Sequence, residues 1–551
     1  MDRPGSVTHR DHLARAVPGA GTAADGADQP PVRRERAARH ASGRADHVGA
    51  PVRGAPVNPI DTTTPAGVVL ALLPEVVLSL AALGVLVVNA WRHETAEDSR
   101  LAGWLSLGGV GAAMVALLWL WGGGASSSGI PQMVALDGYR FFGDFVFLLA
   151  AAATIVFSLD YLEREGIRGP EYYTLILLAT VGMMLLAGAN DLIMVFLGLE
   201  VMSVAAYVLA AYDRRSPYSA EAGLKYFLIG AFASGFLLYG IALVYGVTGT
   251  TNLVMAGAFF GPGSLPVMAS LGLSLLLIGF LFKVSVVPFH MWAPDVYDGA
   301  PTPVTGPMAT GIKAAGFLAL TRMLIVTFPA ASPLWQPVLG ILAIATMVAG
   351  NLMALSQRTV KRMLAYSSVA HAGYLLAAVW TGTLIGAASV LVYLLAYALT
   401  SLAAFGLLAA LGRGGERDLT ADDLAGLAKA RPWTAAAFAI VLLSLLGFPG
   451  TFGFIGKWMI LTSLVVAGQW LIPVVLVLAS AVSAGYYLPV IMAMYMKPAR
   501  EGAPDAPRVP RGAAVAIGAI VAAILVLGVW PPPLLSGTME IASSLFERAF
   551  Q

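Results

Sequence analysis

The stretch LIGFLFKVSVVPFHMWAPDVYDGAPTPVTG (277–306) decides how this chain is read. It begins as a membrane-grade apolar run, carries Lys283 inside that run, and then meets Pro288 and Pro294. Proline removes a helix bond and clashes with the preceding turn, so the span must break there. A second stretch, LLGFPGTFGFIGKWMILTSL (445–464), repeats the combination: Pro449-Gly450, Gly453 and Gly456 interrupt a run that holds Lys457. The enclosing apolar segments, 265–300 and 432–467, each cover about 36 residues, roughly 54 Å as helix against a hydrocarbon core of about 30 Å. Broken helices at corresponding places in two halves point to a transport site.

Outward from these two stretches the pattern is uniform. Of 551 residues, 58% are hydrophobic and 12% charged. Apolar runs recur at 66–90, 101–121, 140–161, 170–187, 190–212, 219–247, 265–300, 303–327, 334–356, 359–381, 385–412, 432–467, 471–496 and 512–531. The reading is an all-α polytopic membrane protein with about 14 transmembrane helices. There is no cysteine, which excludes thiolate-held iron–sulfur clusters, disulfides and c-type haem attachment. No dinucleotide or Walker glycine loop occurs, and the net charge of +2 is scattered over short loops. No cofactor or metal is expected in this chain, and no nucleic-acid partner.

Residues 1–62 stand apart, with nine arginines, seven acids, no lysine and no apolar period. They read as a disordered Arg-rich tail ahead of a membrane domain at 63–551. Lys and Arg concentrate after segments 1, 3, 5, 9, 11 and 13, including Arg214, Arg215, Arg358, Lys361, Arg362, Arg413 and Lys429. By the positive-inside rule those loops are cytoplasmic and both termini lie on the other side. The basic tail opposes that bias. Either it is translocated regardless or the natural product starts later, for instance near Val57.

Only seven residues are lysines, and four of them, Lys225, Lys283, Lys313 and Lys457, lie in apolar segments. An ammonium at a helix centre costs roughly 2.5–3.5 kcal/mol on insertion scales, and lysine, unlike arginine, can release its proton when buried. Glu200, in FLGLEVMSVAAYVL, is the one acid expected at mid-membrane. It reads either as a protonated or hydrogen-bonded carboxyl holding helices together or as the acid of a Glu–Lys pair that controls a lysine proton. Lys225 is near its segment end, where snorkelling beside Arg214 and Arg215 competes with a buried role. Unwound carbonyls at the break beside Lys283 are suited to solvate an ammonium or a water chain. His371 suits a proton relay or a hydrogen-bonded core position. His290 reads as interfacial, Glu75, Asp144, Asp160 and Asp191 as solvated at segment ends, and Asp295 and Asp298 as structural.

A repeat joins the halves. Lys225-YFLIGAFAS aligns with Val392-YLLAYALTS at an offset of 167, pairing Tyr226 with Tyr393 and Ser234 with Ser401, and the same offset pairs Tyr207 with Tyr374. The unit spans about five helices, an odd number, so the copies must be inserted with opposite topology. At this offset Glu200 falls on Ser367 and Lys225 on Val392, so the halves are chemically unequal.

KYFLIGAFASGFLLYG (225–240), FKVSVVPFHMWAPDVYDGAPTPVTG (282–306), VKRMLAYSSVAHAGYLL (360–376) and GFPGTFGFIGKW (447–458) resemble the antiporter-like membrane subunits of the proton-pumping NADH–quinone oxidoreductase, respiratory complex I. The resemblance covers roughly 66–531. It implies fourteen helices, two inverted five-helix repeats (helices 4–8 and 9–13) and broken helices 7 and 12. It also implies a mid-membrane proton path matching Glu200, Lys283, Lys313 and Lys457, with Lys225 matching a lysine on helix 6. NADH, FMN, iron–sulfur clusters and quinone would then belong to partner subunits, and the partners would be other complex I membrane subunits, lipids and, through the complex, the quinone pool. The bacterial plasma membrane is the implied location. Two other classes stay open: an Mrp-type cation/proton antiporter subunit, and a structural subunit without a channel.

Overall fold

The computed structural model describes residues 59–61, 64–91, 96–127, 133–167, 169, 171–260, 265–412, 419–499 and 507–549. The expected disordered tail lies outside the described residues except at its end. There Pro59–Ile60 (β1) pairs in parallel with Ser126–Ser127 (β2).

The first part of the chain forms α1 (Pro65–Ala71), α2 (Leu73–Ala90), α3 (Ala96–Gly122), α4 (Gly138–Arg164), α5 (Glu171–Ala187), α6 (Leu192–Ala210), α7 (Pro217–Thr248) and α8 (Leu253–Phe259). Next come α9 (Val267–Lys283), α10 (Trp292–Gly299), α11 (Thr302–Pro307) and α12 (Lys313–Val326), with a π-helical turn, Met308–Ile312, between the last two. The chain continues as α13 (Ser332–Leu355), α14 (Val360–Trp380), α15 (Leu384–Leu411), α16 (Leu427–Ala430), α17 (Pro432–Leu446), α18 (Phe452–Val466), α19 (Leu471–Met496), α20 (Arg511–Val529) and α21 (Pro532–Ala549). Among the described residues, eleven helices are long and apolar enough to span a membrane. The remaining three of the fourteen expected segments are the 17-residue α5 and the two interrupted pairs, α9 with α10 and α17 with α18.

Local chemistry sets the ends. Asp137, Asp191 and Ser216 cap α4, α6 and α7 by accepting from the amides of Arg140, Ile193 and Ser219. Gly249 ends α7 with φ +69°, where a side chain would be strained. Loop contacts follow the expected alternation. Val134 bridges to Ala189 and Asp191 to Asn252, all in loops after even-numbered segments, whereas Thr359 bridges to Thr420 across odd-numbered ones. The α21 helix was not expected. Its residue Ile541 packs over Gly138, and α21 lies on α4, α12 and α15 at the end opposite the basic loops.

The repeat is visible in the packing. Helix α5 crosses α6 closely enough that a Cβ at Gly182 would stand 2.3 Å from the Met202 nitrogen. Helix α13 crosses α14 in the same way, with 2.5 Å between a Gly350 Cβ and the Ala370 nitrogen. The repeat-paired tyrosines also adopt one arrangement twice, Tyr207 edge-on to Tyr226 and Tyr374 edge-on to Tyr393. Burial is unequal, however. The best apolar windows of α15 and of Thr302–Val326 are 100% buried, against 33% for α7, the repeat counterpart of α15. Replacing Gly182 or Gly350 by leucine is expected to cost about 1–3 kcal/mol by overpacking. Thermal unfolding in detergent checks this, and an unchanged midpoint would mean these crossings are not tight.

Candidate functional site

Lys283 is the last residue of α9, and the helix cannot continue because Ser285 takes φ +60° and Pro288 follows. Trp292 of α10 folds back and donates its indole N–H to the Phe282 carbonyl at 3.1 Å, satisfying an acceptor freed by the break. None of the hydrogen bonds described for the Lys283 side chain goes to a carbonyl. Its Nζ donates to Ser203 Oγ at 2.7 Å and to Tyr226 OH at 3.2 Å, and it stands 5.8 and 5.2 Å from the ring centres of Tyr207 and Tyr226. Solvation of Lys283 by unwound carbonyls is thus not what the structure shows: hydroxyls and aromatic faces hold it.

Glu200 does not reach Lys283 as an ion pair. Its carboxylate accepts instead from Ser234, the serine that the repeat pairs with Ser401. Ser203, Ser234 and Lys283 line one small cavity of about 10 Å³, the room a single water needs. The expected Glu–Lys pair is therefore not formed as a direct contact among the described residues.

Lys313 opens α12 directly after the π-helical turn, a distortion that often marks functional positions. Its Nζ donates to the Ser368 carbonyl at 2.9 Å and to Ser368 Oγ at 2.5 Å, with the Tyr297 ring centre 5.6 Å away. Three residues further along α14, His371 Nδ1 lies 2.7 Å from Tyr393 OH and Nε2 lies 3.4 Å from Tyr487 OH. Tyr487 also bonds Ser367.

Lys457 sits within α18, after the second break, whereas Lys283 ends the helix before the first. The two are not mirror positions; one repeat offset before Lys457 lies His290. Gly447, at φ +88°, ends α17 and leaves its last carbonyls free. Lys457 Nζ takes two of them, Leu445 O at 3.0 Å and Leu446 O at 2.8 Å, and adds Ser480 Oγ at 2.8 Å. Its Nζ is 4.8 Å from the centre of the Tyr374 ring. Here the carbonyl end of a half-helix does solvate the ammonium.

Lys283, Lys313 and Lys457 are 2%, 1% and 6% exposed, and none of the described ion pairs includes them. Lys225 is different. It bonds Glu221 at 2.6 Å and Asp295 at 3.1 Å, with its side chain 41% exposed, and Arg362 joins the same group through Asp295 at 2.8 Å. The structure does not bring Lys225 to the buried row; it snorkels to the end that carries the basic loops.

Several other placements differ from expectation. His290 is buried rather than interfacial. Glu75 and Asp144 are buried too, together with Arg140 and Arg322, while Asp160 pairs with Arg100 near the surface as expected. Asp191 is a buried cap. The residues missed were the hydroxyl partners Ser203, Tyr226, Ser368, Tyr393, Tyr487 and Ser480. For Tyr226 and Tyr393 the repeat offset was the available signal, since two buried tyrosines recur at matched positions.

Inverted repeats, each with a broken helix and a buried ammonium, define the antiporter-like class of membrane subunit. The family model described as NADH:quinone oxidoreductase/Mrp antiporter, TM, matches residues 189–483. NADH-quinone oxidoreductase subunit N of Trichlorobacter lovleyi is 46% identical, over 78% of this chain and 88% of the relative. Subunit N of Gemmatimonas aurantiaca is 44% identical over 88% and 94%. A chain of respiratory complex I from Thermus thermophilus superposes with TM-score 0.71 at 35% identity, over 84% of this chain and 98% of that one. The chain belongs to the NADH-quinone oxidoreductase subunit N family. A chain of the Mrp complex from a Dietzia species, at TM-score 0.76 and 23% identity, shares the fold.

Replacing Ser203 by alanine removes the nearer hydroxyl on Lys283. The loss is expected to cost about 1–3 kcal/mol in solvation of the ammonium, read as a lower unfolding temperature that a Ser203→Thr variant restores. Equal temperatures for Ser203→Ala and the unmodified protein would remove Ser203 from the site.

Proposed function

We propose that this chain translocates protons along Lys283, Lys313 and Lys457 as a multi-pass membrane subunit of bacterial complex I. NADH oxidation and quinone reduction, with FMN and iron–sulfur clusters, would take place in partner subunits, so the chain contributes to a proton-translocating enzyme without redox chemistry of its own. One observation carries the reading. Among the described residues, three buried ammonium groups are hydrogen-bonded only to hydroxyls and carbonyls, with no carboxylate in ion-pair contact. A purely structural lysine in a low-dielectric core needs a counter-charge, whereas neutral acceptors solvate a proton without trapping it.

In this mechanism the charge of Glu200, held by Ser234, biases Lys283 toward its ammonium form. A redox-linked change in charge near Glu200 removes that bias. The proton then passes to Lys313, and by way of the His371–Tyr393–Tyr487 group to Lys457. Each charge moved against the membrane potential needs about 2.3 kcal/mol per 100 mV, which the change in charge at Glu200 must supply. The Lys225–Asp295–Arg362 group would face the cytoplasm and both termini the other side, a reading that the basic loops support through the positive-inside rule. The asymmetry of the halves fits one path joined through the middle, and the sequence relatives favour complex I over a free-standing antiporter.

In the assembled complex, Lys457→Met is expected to retain NADH:quinone reduction while losing most proton uptake into the lumen of inverted vesicles. Lys225→Met, outside the row, is expected to keep proton transport within about twofold of the unmodified complex. Full pumping with Lys457→Met contradicts the reading.

A further inference from the structure

Away from the lysine row, at the end opposite the basic loops, a second set of charges is closed off from solvent. Glu75 comes from α2, Asp137, Arg140 and Asp144 from α4 and its cap, and Arg322 from α12. Arg140 and Asp144 are fully buried, and Glu75 and Arg322 nearly so. These three elements bring together the first and third spans, which precede the repeats, and the eighth, the last helix of the first repeat.

In one half of the set the charges are matched one to one, although Arg322 Nε and Tyr139 OH are also buried without a hydrogen-bond partner among the described residues. Arg322 grips Asp137 through both terminal nitrogens, at 2.7 and 2.9 Å, and Asp137 also accepts from the Arg140 amide at 2.8 Å. The ring of Tyr139 lies against the Arg322 guanidinium. In the other half the charges are not matched. Arg140 donates to Glu75 Oε1 at 2.5 Å and to the carbonyls of Ala71 and Ala135 at 3.1 and 3.2 Å. Its Nε stands 3.3 Å from Asp144 Oδ2 without forming a hydrogen bond. Glu75 Oε2 and both oxygens of Asp144 are buried with no donor.

Two carboxyl groups therefore face one guanidinium, and three buried acceptor atoms have nothing to accept. A surplus buried negative charge and orphaned buried acceptors are each unfavourable. A single proton on the Glu75–Asp144 pair neutralises the surplus and turns one of the three oxygens into a donor that can serve another. The space is built for this group: a Cβ at Gly188 would stand 2.7 Å from Arg140 Cδ, so that position must be glycine for the arginine to pass. The charged and titratable groups facing the pair are Arg140, Asp137, Arg322 and Tyr139.

We propose that Glu75, Arg140 and Asp144 form a proton-holding site that exchanges one proton with the aqueous phase at the end of the bundle opposite the basic loops. In release, the O–H bond of the protonated carboxyl breaks and the proton leaves past Glu75, in the first turn of α2, to water. The carboxylate left behind stays beside the Arg140 guanidinium, and reprotonation reverses the step. As a release point the site deepens the proton-translocation reading and rests on it, although its bound proton does not.

Infrared difference spectroscopy on the assembled complex, with and without NADH and with carbon-13 aspartate, tests this. The unmodified complex is expected to show a carboxylic C=O band from aspartate that responds to turnover. Asp144→Asn should lose that band and lower the proton-to-electron ratio, and Asp144→Glu should shift the band and recover the ratio. A carboxylic aspartate band that is absent, or one that Asp144→Asn leaves untouched, would overturn the site. So would a full proton yield with Asp144→Asn, and failure of both variants to assemble would mark the group as a fastening. Lys457→Met serves as the control: if it pumps fully while the Asp144 band behaves as expected, the lysine path fails and the proton-holding site stands.

Discussion

Everything in this molecule turns on how an ammonium is kept inside a membrane without a carboxylate beside it. The cost of burying such a charge is met three times by neutral dipoles. Lys283 has Ser203, Tyr226 and two aromatic faces, Lys313 has one serine twice over, and Lys457 has the carbonyl end of α17 and Ser480. The two helix breaks, the π-helical turn before Lys313 and the glycine at 447 are the backbone features that aim these groups. Without the breaks, the regular helices would have no free carbonyls to offer Lys457 and no room for Trp292 beside Tyr226, whose rings stack at 4.4 Å.

The arginines show the alternative solution. Arg322 has a bidentate carboxylate partner, and Arg140 touches two acids. A guanidinium keeps its proton under any biological condition, so a buried arginine is stable only when paired. Lysine tolerates neutral partners because its proton can leave. The chain thus separates its buried cations into two kinds: guanidiniums beside carboxylates, where the first, third and eighth spans meet, and ammoniums among neutral partners in the two repeats.

Much of this was legible in the sequence. The apolar runs, the two breaks and the 167-residue repeat gave the fourteen segments and their alternation, because lipid forces every backbone group into helix and so makes hydropathy readable. The buried row was legible as well, since Lys283, Lys313 and Lys457 are conspicuous in apolar surroundings. What could not be read was contact across helices. The sequence leaves snorkelling open for Lys225, near its segment end and four residues after Glu221; the contact it does not show is the one with Asp295, from beyond the first break. Glu75 and Asp144 looked like interfacial acids because the sequence does not show that Arg140, four residues before Asp144, turns inward to stand beside both. The amphipathic α21 was missed because its apolar residues form a stripe too narrow to register as a span.

The central claim is that the three lysines form one path, so the middle one tests it most directly. Lys313 joins the halves, and Lys313→Met leaves Lys283 and Lys457 with their own partners intact. The measurement is the proton-to-electron ratio of the assembled complex in sealed vesicles, with NADH oxidation followed in the same sample. The account predicts continued NADH oxidation with a reduced ratio. An unchanged ratio would show that protons do not pass between the halves by this route.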